Sequence, residues 1–416
     1  MAPPSRRLPP LMDEVVEEIL LRFPPDDPAS LLRAALVCKR WCRLVSGPFF
    51  RRRFGEFHRT PPMLGFHILV PSRAKTSCFR HRGSGDTRFI STTSSFRLPH
   101  AIVPSWRAVD ALHGRILFYD MDPSPQTVEL ELIVWNPITD EVRRLPMVPL
   151  CTYRWSAALL CAAPGCDHVD CGYGPFRVVV VTTEPLEGFT SACVYSSEQH
   201  AWSVPISAQY LIAGNLRGPS VLVGNAIYFL CENTRILEYD MGKEELSVMS
   251  IPSVCKARSI VLMTAEDGGL GFAVVQGSKL STWSRVDDGS DVGWAQRRVI
   301  ELDKLLPLSI ATRVVAVVDV LGVIFIETIC ERAKHCPEVR DLSPEKSRIL
   351  IFLEYSITHT RLFTIDLKSG RVKQIYEDSE HVIRDIVPYT SFCTPALGAA
   401  STDEGPRAGA SSAPKA

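Results

Sequence analysis

Cysteine and histidine residues are most densely grouped between positions 161 and 171. They are spaced as Cys161-x4-Cys166-x-His168-x2-Cys171. Thiolate and imidazole side chains are the ligands of structural zinc sites, where short spacings bring them together. This spacing matches no common paired-knuckle pattern, so the sequence favours a reduced, cysteine-containing loop. We therefore expect the protein to hold no metal and no cofactor.

The sequence contains no common catalytic motif. It lacks a Gly-x4-Gly-Lys-Ser/Thr phosphate loop, a Gly-x-Ser-x-Gly nucleophile turn and a His-Glu-x-x-His metal motif. The glycines at 268–271 indicate a turn between strands, and Cys330, His335 and Cys336 form only a weak second group of metal-ligand types. The thiol of Cys38 is predicted to pack within a helical module rather than act as a nucleophile. We expect the protein not to be an enzyme.

Three short helices are predicted before residue 50. The first runs from Asp13, its N-cap, to Arg22, with apolar side chains at one-turn spacing, and it stops at Pro24. Asp27, followed by a proline, opens the second helix. A third segment spans 37–46 and ends at Gly47. The N-terminal region is therefore predicted to be a small helical module.

These helices carry many apolar residues for so small a module. Helices shorter than about 12 residues are marginal in water on their own. Two interpretations remain open. All apolar residues form the module's own core or pack on the rest of the chain, or some of them face a helical partner. The residues expected at a partner are Leu11, Val15, Ile19, Val37 and Trp41.

Residues 11 to about 48 resemble the F-box, and the stretch 11–57 is especially similar to a large group of grass F-box proteins. The helix breakers, the Cys-Lys-x-Trp sequence and the apolar spacing all agree with that motif. Where the motif usually opens with Leu-Pro, this chain has Leu11-Met12. The residues that carry the resemblance, and that it implies as adaptor contacts, are Leu11, Val15, Ile19, Leu20, Pro24, Leu31, Val37, Cys38, Lys39, Trp41 and Val45.

The resemblance implies a partner, because F-boxes bind the Skp-type adaptor of cullin-type ubiquitin ligases. Cullin and RING subunits would then be partners through the adaptor. With this resemblance, the interpretation that part of the apolar surface faces a partner is favoured. It also implies that a basic cluster complements an acidic adaptor. The cluster consists of Arg33, Lys39, Arg40, Arg43, Arg51, Arg52, Arg53 and Arg59.

From Met63 onward, short apolar runs alternate with turn residues, and a unit of several strands recurs. Tyr195, Tyr239 and Trp283 mark successive units 44 residues apart, and a further unit is expected near Phe325. A period of about 40–50 residues is typical of β-propeller blades. The region also resembles the F-box-associated β domains of plants, where Val-Trp-Asn-Pro-x-Thr recurs, as at residues 134–139. We predict an α+β multidomain protein: a three-helix F-box followed by a six- or seven-bladed propeller whose aromatic residues pack between blades.

Four regions are predicted along the chain. They are a disordered N-terminus at 1–10, the F-box at 11–60, the β-propeller-like domain at 61–393, and a disordered tail at 394–416, rich in Ala, Gly, Ser and Pro. Residues 151–175 are expected to form a long surface loop, which is where recognition tends to occur. The apolar stretch 314–326 is interrupted by Asp319 and Gly322 and is predicted to form one or two buried strands.

Composition excludes several classes of protein. The chain has 416 residues, 46% of them hydrophobic, and a net charge of zero, which fits a globular protein and does not favour a general polyanion binder. The 13 scattered cysteines argue against a disulfide framework, and no secretory signal or membrane-spanning stretch is visible. We therefore expect the cytoplasm, the nucleus or both, with no membrane or nucleic-acid partner.

The predicted function is that of a substrate-receptor subunit of a Skp–cullin–F-box ubiquitin ligase. In that role the F-box docks on the adaptor and the β domain recruits a target protein. Three alternatives remain: a non-degradative F-box scaffold, a stand-alone β-propeller binding protein or enzyme, and a nucleic-acid binder that uses the basic residues around Arg51 to Arg53.

Overall fold

The computed structural model describes the F-box region and most of the β region. The described residues are 11–71, 85–96, 98, 103, 105–120, 130–150, 154–184, 188–209, 216–231, 235–255, 260–287, 292–307, 311–331, 358–378, 383 and 385–395. The predictions of disorder at 1–10 and in most of the tail lie outside them, as do His335 and Cys336.

The described N-terminal region contains four helices, not three. They are α1 (Asp13–Leu20), α2 (Pro28–Val37), α3 (Lys39–Ser46) and α4 (Pro48–His58). Helix α1 ends two residues earlier than expected and its N-cap is Met12, since Asp13 is already helical. The prediction that Gly47 simply closes the module was incomplete, because Gly47 is both the C-cap of α3 and the N-cap of α4.

The four helices share one core. Helix α4 contributes Phe50 and Phe54, which are 2% and 1% exposed and form a stacked ring pair. The other buried members come from α1 to α3 and the turn after α1. They are Val16, Leu20, Leu21, Leu31, Ala34, Ala35 and Val45. Burying this cluster stabilises helices that are each too short to be stable alone.

The rest of the described chain is β-structure. The strands are β1 (Met63–Pro71), β2 (Gly85–Ser91), β3 (Trp106–Leu112), β4 (Arg115–Asp120), β5 (Leu132–Asn136), β6 (Glu141–Arg144), β7 (Trp155–Cys161), β8 (Phe176–Glu184), β9 (Phe189–Ser196), β10 (Ala201–Trp202), β11 (Ile206–Gln209), β12 (Leu216–Val223), β13 (Ala226–Cys231), β14 (Arg235–Asp240), β15 (Glu245–Ser250), β16 (Ile260–Thr264), β17 (Leu270–Gln276), β18 (Lys279–Asp287), β19 (Val292–Glu301), β20 (Ala311–Val318), β21 (Val323–Glu331), β22 (Thr358–Asp366), β23 (Val372–Asp378) and β24 (Ile386–Thr390).

These strands form six antiparallel sheets arranged as the blades of a propeller. The sheets are β24-β1-β2, β3 to β6, β7 to β11, β12 to β15, β16 to β19 and β20 to β23. Their innermost strands touch in a closed ring, in the order β3, β7, β12, β16, β20, β24 and back to β3. The ring closes because β1, from the start of the domain, pairs with β24 from its end. The prediction of six or seven blades therefore resolves to six.

The separate unit expected near Phe325 was wrong. Phe325 lies on β21, which pairs with β22 in the same sheet. The interval from Trp283 to Ile365 is long because 26 residues separate β21 from β22, not because another blade intervenes. The stretch 314–326 forms parts of two strands, β20 and β21, as expected.

Aromatic residues on the third strands pack between blades, as predicted. Tyr195 joins a buried cluster with Leu117 and Val134 of the preceding blade. Trp283 packs in the same way against Tyr228 and Ile236. These contacts bury the apolar faces that a single blade would leave in water.

No described helix is long and apolar enough to span a membrane.

Candidate functional site

The predicted adaptor contacts divide into a surface group and a core group. Leu11, Val15, Ile19 and Val37 are 54%, 38%, 46% and 64% exposed, although they are large and apolar. Pro24, Cys38 and Lys39 are exposed as well. Seven of the eleven predicted residues therefore lie where a partner can reach them.

Three predicted contacts are instead core residues. Leu20, Leu31 and Val45 are at most 1% exposed, so in this structure they hold the helices together behind the surface and do not line it. Trp41 is half-buried against the same core. Sequence spacing could not separate these roles, because α1 has apolar residues on two adjoining faces, Val16 and Leu20 inward and Val15 and Ile19 outward.

Arg40 brings the exposed residues of α1 and α3 together. Its Nε donates to Asp13 Oδ1 at 2.6 Å, and its Nη2 donates to the carbonyl of Leu11 at 2.7 Å. Cys38 precedes α3 as its N-cap, and its Sγ accepts a hydrogen bond from the backbone N–H of Trp41 at 3.5 Å. The expected packing role of Cys38 was therefore wrong, because its side chain caps a helix at the surface.

We call Leu11, Val15, Ile19, Val37 and Cys38 the apolar face of the F-box. Further exposed apolar residues of the same module were not predicted as contacts. They are Met12, Leu32, Leu36, Phe49 and Phe57. Met12 directly precedes α1, and Leu36 lies one residue before Val37. Their signal in the sequence was the excess of apolar residues over what four short helices can bury.

The basic residues of α4 are paired with acids. Arg51 meets Asp170 at 2.7 Å, and Arg53 meets Glu17 at 2.9 Å and Glu18 at 2.8 Å. The hydrogen bond from Arg53 lowers the pKa of Glu18. Arg52 pairs with Glu56 and Asp167. This pairing neutralises Arg51, Arg52 and Arg53, so the nucleic-acid interpretation and the implied complementarity with an acidic adaptor both lose the support of these three residues.

Helix α4 docks on the connection between β7 and β8, residues 162–175. Besides the Arg51–Asp170 pair, the Arg51 guanidinium lies 3.7 Å from the centre of the Tyr173 ring. A Cβ at Gly55 would meet Val169 Cγ1 at 2.7 Å, so only glycine allows this approach. Phe54 also packs edge-on against Phe392, which follows β24.

These contacts correct the interpretation of residues 151–175 as one long recognition loop. Residues 155–161 form β7, an inner strand, and the connection that follows is occupied by the F-box. It fixes the helical module to the propeller rather than standing free for a target.

The same connection brings together the four metal-ligand residues Cys161, Cys166, His168 and Cys171. Their ligand atoms all lie within 4.8 Å of one another. Burial raises the pKa of the Cys161 and Cys171 thiols. The spacing of these residues in the sequence favours an ordinary reduced loop. Their close approach becomes visible only in the folded connection.

The helices, the six blades and the exposed apolar face define a class, namely F-box proteins with a C-terminal β-propeller. The family model described as F-box-like matches residues 13–55. The model described as F-box protein AT5G49610-like, beta-propeller, matches residues 107–317. Since that match covers half of the chain, the protein belongs to the family of AT5G49610-like F-box β-propeller proteins, and the predicted F-box and propeller are confirmed.

Known proteins of Arabidopsis thaliana are similar to this chain. The F-box/LRR-repeat/kelch-repeat protein At1g09650 is 27% identical over 58% of this chain and 64% of its own length. The F-box protein At5g03970 is 21% identical over 67% of this chain and 66% of its own length. The chain thus spans just under two thirds of these relatives. Among solved structures, Kuenenia stuttgartiensis hydrazine synthase gives a TM-score of 0.34 at 14% identity over 62% of each chain, which is too low to carry an argument.

Proposed function

We propose that this protein is the substrate-receptor subunit of a Skp–cullin–F-box ubiquitin ligase. The observation that carries the proposal is the apolar face of the F-box. It lies on a module whose own core is already filled by Leu20, Leu31, Val45, Phe50 and Phe54. Exposed Leu, Ile and Val side chains grouped in this way favour a helical partner. A Skp-type adaptor is the partner that F-boxes generally bind, and cullin and RING subunits would follow through it.

The proposed mechanism is proximity, with no catalytic group supplied by this chain. The F-box fixes the protein to the ligase core while the propeller holds a target, so ubiquitin transfer to target lysines becomes effectively intramolecular. A rigid receptor favours this mechanism. The docking of α4 on residues 162–175 and on Phe392 supplies rigidity between the two domains. We propose the cytoplasm or the nucleus as its location.

We assign target binding to the propeller face opposite the F-box. Helix α4 meets the end of the propeller where first strands pass to second strands, as at the β7–β8 connection. The opposite end is formed by the turns between second and third strands and by the connections between blades. Met147, Val254 and Leu305 lie in three of those connections and are 45%, 66% and 41% exposed. Exposed apolar side chains on a rigid scaffold suit protein recognition.

Co-expression with a Skp-type adaptor, followed by size-exclusion chromatography, tests the docking step. We expect a stable one-to-one complex from the wild type. Ile19→Glu places a charge on the apolar face without touching the core, because Ile19 is 46% exposed, and should abolish co-elution. Val204→Glu alters an apolar residue that is 86% exposed on the propeller, and it should leave the complex intact.

Two results would contradict the proposal. The first is a folded wild-type monomer that ignores the adaptor, and the second is an Ile19→Glu variant that still co-elutes. If docking holds, the abundance of proteins captured by the propeller should rise when this protein is depleted. Unchanged abundance would indicate a non-degradative F-box scaffold.

A further inference from the structure

The connection between β7 and β8 holds four ligand-type side chains in the arrangement of a metal site. Cys161 is the last residue of β7, and Cys166, His168 and Cys171 follow within the connection. Their ligand atoms lie within 4.8 Å of one another, and Cys171 Sγ is 3.6 Å from His168 Nδ1. In tetrahedral zinc sites, with Zn–S near 2.3 Å and Zn–N near 2.0 Å, neighbouring ligand atoms are about 3.6–3.8 Å apart. The cluster therefore needs only small shifts to close around one ion.

The backbone of the connection is shaped to hold these ligands. Gly165, just before Cys166, has φ +60°, and His168 itself has φ +59°, a left-handed conformation that costs energy for a residue with a side chain. The N–H of His168 points to Cys166 Sγ at 3.4 Å, a contact that suits a thiolate. Such strain persists only where surrounding interactions require it.

The preceding blade, β3 to β6, supports the cluster from behind. The His168 ring stacks on His113, with centroids 4.7 Å apart. The buried guanidinium of Arg115 donates to the carbonyls of Cys171 and Gly174. Three thiolates, one imidazole and Zn²⁺ carry a net charge of −1, which the Arg115 cation complements. Partners that orient metal ligands in this way are common around protein metal sites.

We propose that Cys161, Cys166, His168 and Cys171 bind one structural zinc ion that fixes the F-box to the propeller. Three thiolates and an imidazole form a common ligand set of structural zinc, and four protein ligands leave no open position for catalysis. Binding releases three thiol protons to solvent, with no change in oxidation state.

The residues between the four ligands indicate how the zinc ion would fix the F-box to the propeller. Asp167 and Asp170 pair with Arg52 and Arg51 of α4, and Val169 lies against Gly55. Each of these acids stands next to a ligand, so fixing the ligands fixes the residues on which α4 sits. Zinc would then set the orientation of the adaptor-binding module relative to the propeller face that holds a target.

Metal analysis of the whole chain, purified under reducing conditions without added chelator, tests the proposal. We expect one zinc per chain in the wild type and background zinc in Cys166→Ser and His168→Gln. Cys255→Ala removes a buried cysteine of another blade and should retain the full equivalent. Absence of zinc from the wild type, or full zinc in both ligand variants, would overturn the site.

A second measurement keeps the test decisive if the ligand variants do not fold. Wild-type protein refilled with Co²⁺ should show the intense visible bands of tetrahedral thiolate coordination. Iron or copper instead of zinc in the purified protein would contradict the zinc assignment.

Removing the ion with a chelator should make Cys161, Cys166 and Cys171 reactive to an alkylating agent. Cys38, which is already exposed, should react equally before and after. Equal reactivity of all four cysteines in both states would contradict the proposal. Because neither measurement involves the adaptor, failure here leaves the adaptor result untouched.

Discussion

At the scale of single residues, His67 is a histidine buried in the described core, at 1% exposure. Its ring on β1 lies 5.0 Å from that of Phe89 and 5.3 Å from that of Phe118, measured between centroids. Neither ring nitrogen has a hydrogen-bond partner within the described residues. Burial lowers the pKa of His67 to about 3. The folded protein therefore keeps this imidazole neutral at pH values where the unfolded chain protonates it.

We predict that His67 makes the protein less stable in mild acid. As the pH falls below about 6.5, the unfolded state binds the proton first, so the free energy of unfolding decreases until the pH reaches the folded pKa near 3. At pH 5 this amounts to about 2 kcal/mol. His67→Phe keeps an aromatic ring without the titration, so its unfolding midpoint should drop less than that of the wild type between pH 7 and pH 5.

The comparison isolates His67 from other buried groups. Burial raises the pKa of Asp110 to about 6, which opposes the effect, and lowers that of His113 to about 4, which adds to it. Both groups are present in the two proteins and cancel. His200→Asn, at an exposed histidine, serves as control and should match the wild type. An equal pH effect in wild type and His67→Phe would rule out this account.

At the scale of elements, helix α4 and its contacts are the part of the F-box region that the sequence does not predict. Gly47 and Pro48 together predict the end of the module, yet proline at the first helical position also suits the start of a helix, because its missing N–H is not needed there. The four contacts of α4 with residues 162–175 could not be predicted. Arg51 and Asp170 are 119 positions apart, and no local pattern links residues so distant in the chain.

We predict that the two arginine–aspartate pairs on α4 differ in strength. The side chains of Arg51 and Asp170 are each 18% exposed, whereas those of Arg52 and Asp167 are 51% and 47% exposed. A double-mutant cycle with Arg51→Gln and Asp170→Asn should give a coupling of about 1.5–3 kcal/mol, as for hydrogen bonds to charged groups shielded from water. The matched cycle with Arg52→Gln and Asp167→Asn should give no measurable coupling, because solvent screens exposed pairs. The reverse order would show that α4 does not dock as described.

At the scale of the whole molecule, the sequence repeat predicts the β-propeller architecture correctly, but it predicts the number of blades less well. Third-strand aromatics such as Tyr195 and Tyr239 keep a regular period because each fills the same gap between blades. The period fails between β21 and β22, where added length lies inside a blade, and this produced the false unit at Phe325. Ring closure left no local signal either, since β1 and β24 lie more than 300 residues apart.

Closure predicts a sharp boundary for truncation from the C-terminus. Ending the chain after Pro395 leaves β24, the buried Thr394 and the contact of Phe392 with Phe54 in place, so the unfolding midpoint should equal that of the full chain. Ending it after Asp385 removes β24, which opens the ring. The edge of β1 in the β24-β1-β2 blade then loses its partner strand and becomes exposed. That shorter chain should aggregate or melt far below the full protein in a thermal scan. The two truncated chains differ by only ten residues but should differ strongly in unfolding midpoint. The reason is that β24 completes a ring in which all six blades stabilise one another. Comparable melting of the two truncated chains would mean that β1 and β24 do not hold the propeller closed.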